Sequence, residues 1–172
     1  MRKYSKIILL LLLVSFLSFM VYNIISKINH KKELAEHIKT IPAFNYQDLN
    51  GVAFTNKNLK TDIAVLFVYF NSDCEFCNEE AQMIQENIEK LSLIQVVFVS
   101  FEQVKQIKSF AQKHSLLNHD NIHFVSDTNV TFATSFDVKS LPCLVLYNKN
   151  QQLIEKIKGQ TQVATILKKL TP

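Results

Sequence analysis

Phe70-Asn71-Ser72-Asp73-Cys74-Glu75-Phe76-Cys77 is the stretch on which the reading of this chain turns. The eight residues before and including its first, Ile63-Ala64-Val65-Leu66-Phe67-Val68-Tyr69-Phe70, are apolar and rich in β-branched and aromatic side chains. That is the pattern of a strand buried on both faces of a mostly parallel sheet. Downstream, Ala81, Ile84, Ile88 and Leu91 recur at helical spacing, which predicts a helix from about Asp73 to Leu91. A C-x-x-C pair therefore stands at a strand-to-helix junction. Unpaired amides and the positive end of the helix dipole favour a thiolate there. Ser72 and Glu75 also fit the spacing of a capping box.

Composition narrows the alternatives. The 172 residues give room for one ordinary domain and an extension, and 48% hydrophobic content suffices for a core. The formal charge of +4 owes three units to Arg2, Lys3 and Lys6, leaving sixteen basic against fifteen acidic residues beyond them. No basic stripe is left to hold phosphates, so nucleic acid is excluded as a partner. Three cysteines, the first at position 74, are too few for a disulfide framework.

Ile7 to Ile25 is uncharged over nineteen residues and dominated by Leu, Ile, Phe and Val. At a rise of about 1.5 Å per residue such a helix crosses the hydrocarbon layer. Basic residues flank it on both sides, and neither Ser18-Phe19-Met20 nor Ile24-Ile25-Ser26 supplies the small-residue site of a cleaved signal. An uncleaved signal anchor over residues 1–26 is expected. The first cysteine is Cys74, which excludes a lipid-modified amino terminus. Charge is nearly even across the span; the domain is expected outside the cytoplasmic membrane because long following domains translocate largely regardless of charge. Residues 27–41 are expected to form a juxtamembrane spacer, with His30 and His37 solvated, and residues 42–172 the folded domain.

Within that domain Asn50-Gly51, between apolar runs, signals a hairpin over Phe44 to Thr55. Ile94 to Ser100 reads as a second buried strand, Val104 to His114 as a helix, Ile122 to Val125 as a short strand, and Asn129 to Phe136 as a helical turn. Ser140 to Tyr147 is a strand with Pro142 at its entrance, followed by a turn at Asn148-Lys149-Asn150 and a strand from Gln152 to Lys158. Val163, Ile166, Leu167 and Leu170 mark a last amphipathic helix. This order implies an α/β sandwich with a mixed sheet. Proline is unfit for a central strand, so Pro142 is placed at a strand start, at an edge, or after a cis bond.

With Cys74-Glu75-Phe76-Cys77 after the first long strand, Glu80 three residues on, the Asn50-Gly51 hairpin, and Leu141-Pro142 opening a later strand, residues Phe44 to Leu170 resemble the thioredoxin-like superfamily. The nearest likeness within it is to membrane-anchored thiol-disulfide reductases related to those of cytochrome c maturation. The resemblance implies a three-layer sandwich with a mixed central sheet, preceded by the hairpin and one transmembrane helix. It implies Cys74 as attacking thiol, Cys77 as resolving thiol, and Pro142 after a cis bond that admits a partner's extended backbone. The redox-active disulfide Cys74-Cys77 would then take the place of any cofactor. Protein disulfides would be the substrates and a membrane or soluble thiol the electron donor. Thioredoxin itself has Gly-Pro between the cysteines, tryptophan before the first, and a buried aspartate six residues before it. This chain has Glu75-Phe76, Asp73 and Val68 at those positions. The resemblance to the anchored reductases makes Glu80 the substitute acid.

Asp73, Glu75, Glu79 and Glu80 all lie within six positions of Cys74, and negative charge disfavours a thiolate. A disfavoured thiolate weakens the reduced form, so a reductant is expected. Cys143 is expected to fill core space. His114, His119 and His123 invite a metal reading, but more than forty residues separate Cys77 from His119 and no second cysteine pair exists; no metal is expected. Two alternatives remain open. A thiol peroxidase of the redoxin type would need P-x-x-x-[TS]-x-x-C, whereas Phe67 and Asn71 precede Cys74 in that register and Phe70 and Cys74 precede Cys77. A non-catalytic module would use the fold to bind metal or dock a chain.

Overall fold

A computed structural model of the chain describes residues 2–170, with side chains from Leu12 onward. It divides into two compact units, one ending at His37 and one beginning at Ile38. The first is a single helix, α1 (Arg2–His37). Leu12–His37 forms a helical stretch long and apolar enough to cross a membrane. The side chains of Arg2, Lys3 and Lys6, expected to flank the span, lie outside those described. The helix continues unbroken into the residues read as a spacer and ends at His37, so the second unit begins at Ile38 rather than at residue 42.

The second unit is a seven-stranded sheet in the order β2-β1-β5-β4-β3-β6-β7. The strands are β1 (Asn45–Asp48), β2 (Ala53–Thr55), β3 (Ala64–Tyr69), β4 (Ile94–Ser100), β5 (Ile122–Ser126), β6 (Cys143–Tyr147) and β7 (Leu153–Lys158). Only β3 with β4 and β4 with β5 pair in parallel; the other four neighbours are antiparallel. The sheet is therefore mixed rather than mostly parallel. Double-sided burial of β3 comes from helices and loops on both faces, not from parallel neighbours alone.

Alternation along β3 separates the layers. Leu66, Val68 and Phe70 face one side, packing with Val96, Phe98, Phe124 and Leu144 beneath α2 (Glu75–Glu86), α3 (Val104–Lys113) and α5 (Val163–Leu170). Phe67 and Tyr69 face the other, against Phe132 of α4 (Thr131–Ser135), with Phe44 of the entering segment edge-on to Phe67. Three layers result.

The chain enters this unit along β7. Tyr147 Oη donates to the Ile38 carbonyl at 2.9 Å, Leu153 N–H donates to that of Lys39 at 2.9 Å, and Thr40 bridges Gln152. The β1–β2 turn forms at Asn50-Gly51, but only Gly51 takes positive φ (79°). Asp48 does the remaining work, its carboxylate accepting from the N–H groups of Asn50 and Val52 at 2.8 Å each, in the manner of an Asx turn.

Candidate active site

The sheet's ladder carries β3 as far as Phe70, whose N–H donates to the Val99 carbonyl at 3.0 Å. The next four residues turn. Asn71 Oδ1 accepts from Asp73 N–H at 2.9 Å, and the Asn71 carbonyl accepts from Cys74 N–H at 3.2 Å. The helix that follows begins at Glu75, with Cys74 as its cap: Cys74 Sγ accepts from Cys77 N–H at 3.3 Å. The capping box expected of Ser72 and Glu75 does not form. Ser72 is held elsewhere, donating from its N–H (2.8 Å) and hydroxyl (2.5 Å) to the two carboxylate oxygens of Glu102. A buried carboxylate is the stronger acceptor, so the serine turns inward and sulfur takes the cap position.

Glu102 also accepts from the Ser100 hydroxyl at 2.9 Å. From the helix side, Asn78 Nδ2 donates to the carbonyls of Ser72 (3.0 Å) and Cys74 (2.8 Å). Its Oδ1 accepts from Lys113 Nζ at 2.7 Å and lies 2.9 Å from His114 Nε2. The turn bearing Cys74 is thus clasped from two sides.

The two sulfurs stand in different surroundings. All three cysteines are free thiols; Cys74 is half-buried, whereas Cys77 is 1% exposed. Burial raises the Cys77 thiol well above its ordinary range, and its hydrogen bond with Cys74 and the charge of Glu80 add to that. Glu80 follows Cys77 by three residues on the inward face of α2 and is fully buried. Its Oε2 accepts from Thr161 N–H at 2.7 Å; its Oε1 is buried without a hydrogen-bond partner. Burial pushes this carboxyl up to about 7, with the Thr161 bond pulling the other way. Of the other acids near Cys74, Asp73, Glu75 and Glu79 are exposed, where solvent and salt screen them. Of these four only Glu80 acts from the dry side, and it acts on Cys77.

Leu141-Pro142 is a cis peptide bond. Cys143 pairs in register with Tyr69, so Pro142 stands at the end of β6 beside the end of β3 that leads to Cys74. Cys143 itself is 1% exposed, and burial raises its thiol to about 11 despite Lys156 and Lys158. Among the described residues no three His, Cys, Asp or Glu side chains converge as metal ligands would. His123 packs against Phe54, with ring centroids 5.2 Å apart, and His114 belongs to the Asn78 network.

Glu102, Asn78 and Thr161 were not singled out from the sequence. One signal pointed to Glu102: it stands just past the carboxyl end of β4 (Ile94–Ser100), where open α/β sheets gather their sites. Asn78 and Thr161 carry no comparable mark.

A profile of the AhpC/TSA family matches residues 38–156. No curated protein matches the chain. Among solved structures, DsbF of Mycobacterium tuberculosis is similar over 78% of this chain and 95% of its own, with a TM-score of 0.64 and 16% identity. A secreted M. tuberculosis disulfide oxidoreductase homologous to E. coli DsbE aligns over 74% of this chain and 88% of its own, at 0.59 and 20%. The peroxidoxin BcpB of the same organism aligns over 76% and 93%, at 0.65 and 18%. These likenesses establish the thioredoxin-like fold.

Proposed function

Since the chain belongs to the AhpC/TSA family of thioredoxin-like proteins, we propose that it is a thiol-disulfide oxidoreductase, held to a membrane by α1, that reduces disulfides of protein partners outside the cytoplasm. The observation that carries this reading is the asymmetry of the cysteine pair: Cys74 half-buried at the start of α2, Cys77 sealed behind it, and a buried carboxyl three residues further on. An attacking thiol needs access to the partner's disulfide, and a resolving thiol needs none until the mixed disulfide exists.

In the first step the Cys74 thiolate attacks one sulfur of a partner disulfide; a bond forms between Cys74 and that sulfur, and the partner's other sulfur leaves as thiolate and takes a proton. Cys77 must then lose its proton in a dry site that opposes its charge. Glu80, raised to about 7, is matched to receive it at neutral pH. The Cys77 thiolate attacks Cys74 Sγ, the mixed disulfide breaks, and the partner departs with both sulfurs reduced. Two electrons have passed to the partner, and the Cys74-Cys77 disulfide awaits a thiol donor. Pro142, at the neighbouring strand end, would align the partner's backbone.

A peroxidase reading draws on the family and on the likeness to a peroxidoxin. The residues at the decisive positions oppose it: Phe67 is 1% exposed in β3 where a proline would be needed, and Asn71 replaces the Thr or Ser. The deciding experiment is the reduction potential of the Cys74/Cys77 couple in defined thiol buffers, paired with a Cys77→Ala trap. A potential near or below about −250 mV and a covalent adduct through Cys74 are expected. A value between about −180 and −120 mV would mean an isomerase or oxidant, and rapid peroxide consumption without an adduct would mean a peroxidase.

A further inference from the structure

The sheet has two ends with opposite character. β3 runs from Ala64 to Tyr69 toward Cys74, a rise of roughly 17 Å at about 3.3 Å per residue. At its starting end, opposite the cysteines, lies a groove of about 660 Å³ whose lining includes Leu93, Leu167 and Leu170 together with Lys90, Lys149 and Asp62. Leu93, in the turn just before β4, is 80% exposed, among the most open of the large apolar side chains outside α1. Nothing in the cysteine chemistry uses this surface.

Its location supplies the partner. The segment that links α1 to the sheet enters here: Lys39 and Thr40 are held by Leu153 and Gln152. Gln152 in turn closes the Asn148–Gln152 turn, its carbonyl accepting from Asn148 N–H at 2.9 Å, and Asn148, Lys149 and Asn150 line the groove. The attachment point and the groove thus share one end of the sheet. Apolar side chains bordered by two lysines against one aspartate match the outer layer of a bilayer carrying anionic headgroups. Leucine enters the interface, and lysine stems lie along apolar surface while their ammonium groups meet phosphate. A tethered domain is already at high effective concentration near that surface, so a weak contact suffices to orient it.

We propose that the Leu93 groove rests on an anionic membrane surface, turning the Cys74 end of the sheet toward the aqueous side, where protein partners arrive. This rests on the reading of α1 as a membrane anchor. The chain contains no tryptophan, so single-tryptophan variants of the full chain report position directly. Phe16→Trp marks the anchor, Leu93→Trp the groove, and Phe76→Trp the cysteine end. Each is reconstituted into vesicles doped with bromolipid, either phosphatidylglycerol-rich or phosphatidylcholine only. Expected are strong quenching of Phe16→Trp in both, at least twofold quenching of Leu93→Trp in the anionic vesicles, and none of Phe76→Trp. Adding Lys90→Glu and Lys149→Glu is expected to return Leu93→Trp to the Phe76→Trp level. Quenched Phe16→Trp with unquenched Leu93→Trp would overturn the docking alone. Quenching at Leu93→Trp indifferent to lipid charge and to the lysine reversals would overturn the anionic surface as partner. Unquenched Phe16→Trp would overturn the anchor and the docking together.

Discussion

The backbone N–H of Thr161 donates to Oε2 of Glu80 at 2.7 Å, joining the loop before α5 to the inner face of the helix that carries the cysteines, while Glu80 Oε1 stays buried with no hydrogen-bond partner. A carboxylate so placed has one oxygen stabilised and one exposed to a dry interior, which is why burial outweighs the hydrogen bond and the group titrates near 7.

That position fixes a pH dependence. Between the ordinary carboxyl value of 4.5 and about 7, the folded protein holds a proton on Glu80 that the unfolded chain has released. Stability of the reduced protein therefore falls as pH rises through this window. The full effect is about 3 kcal/mol, from about 1.4 kcal/mol per pKa unit. Glu80→Gln is expected to remove this contribution to the slope, as read from urea midpoints of reduced protein between pH 4.5 and 8. The same variant is expected to slow resolution of the mixed disulfide by about 100-fold or more. Unchanged resolution would deny Glu80 the proton-accepting role.

Thiol chemistry should separate the three cysteines. Cys74 is half-buried, whereas Cys77 and Cys143 are each 1% exposed and burial raises both thiols. Brief treatment of reduced native protein with iodoacetamide near pH 8 is expected to label Cys74 alone, located by peptide mass. Cys143→Ala is expected to leave that labelling and the reductase activity unchanged. It should cost about 1 kcal/mol of stability for the small cavity. Loss of activity would give Cys143 a part in the chemistry.

How far the fold could be read beforehand depended on how local its cause is. β4 spans Ile94–Ser100 as its apolar run, interrupted only at Gln95 before Val96, suggested, and α5 follows the period of Val163, Ile166 and Leu170, because each pattern is complete within its own element. Ser72 misled because its best acceptor, Glu102, is 30 residues away, beyond the reach of a capping rule that compares positions three apart. The Glu80 partner lies 81 residues on and is a backbone N–H, which no side-chain pattern announces. By charge alone the carboxylates around Cys74 looked alike, and only the resemblance singled out Glu80; in the structure burial separates it from Asp73, Glu75 and Glu79.

Glu102 gathers Ser72 N–H, the Ser72 hydroxyl and the Ser100 hydroxyl on one buried carboxylate. Hydrogen bonds to a charged group contribute about 1.5–3 kcal/mol, and buried donors left without an acceptor cost about 1–3 kcal/mol. Glu102→Ala is therefore expected to lower stability by about 3 kcal/mol and, by loosening the turn, to slow Cys74 alkylation or shift its pH profile. Glu102→Gln should recover only part, since one carbonyl oxygen replaces two acceptors and an amide faces donors. Guanidinium unfolding and stopped-flow alkylation measure the two effects separately.

Asn78 offers the sharpest test of the network on the other side of the turn. Its Oδ1 accepts from Lys113 Nζ and meets His114 Nε2, while its Nδ2 holds the carbonyls of Ser72 and Cys74. Burial, and then the charge of Lys113, hold the His114 imidazole below its usual range. Asn78→Asp keeps the acceptor facing Lys113 and His114, adds a negative charge, and removes the donor to the two carbonyls. The His114 titration, followed by NMR, is expected to move upward, because an opposite charge in hydrogen-bond contact favours the imidazolium. Stabilisation gained on the α3 side should be offset by the Ser72 carbonyl losing its donor, while the Cys74 carbonyl keeps the N–H groups of Cys77 and residue 78, so the urea midpoint should fall even as His114 becomes more basic. If His114 failed to respond, its ring would not be in contact with residue 78, and the Asn78 clasp on the Cys74 turn would not extend to His114.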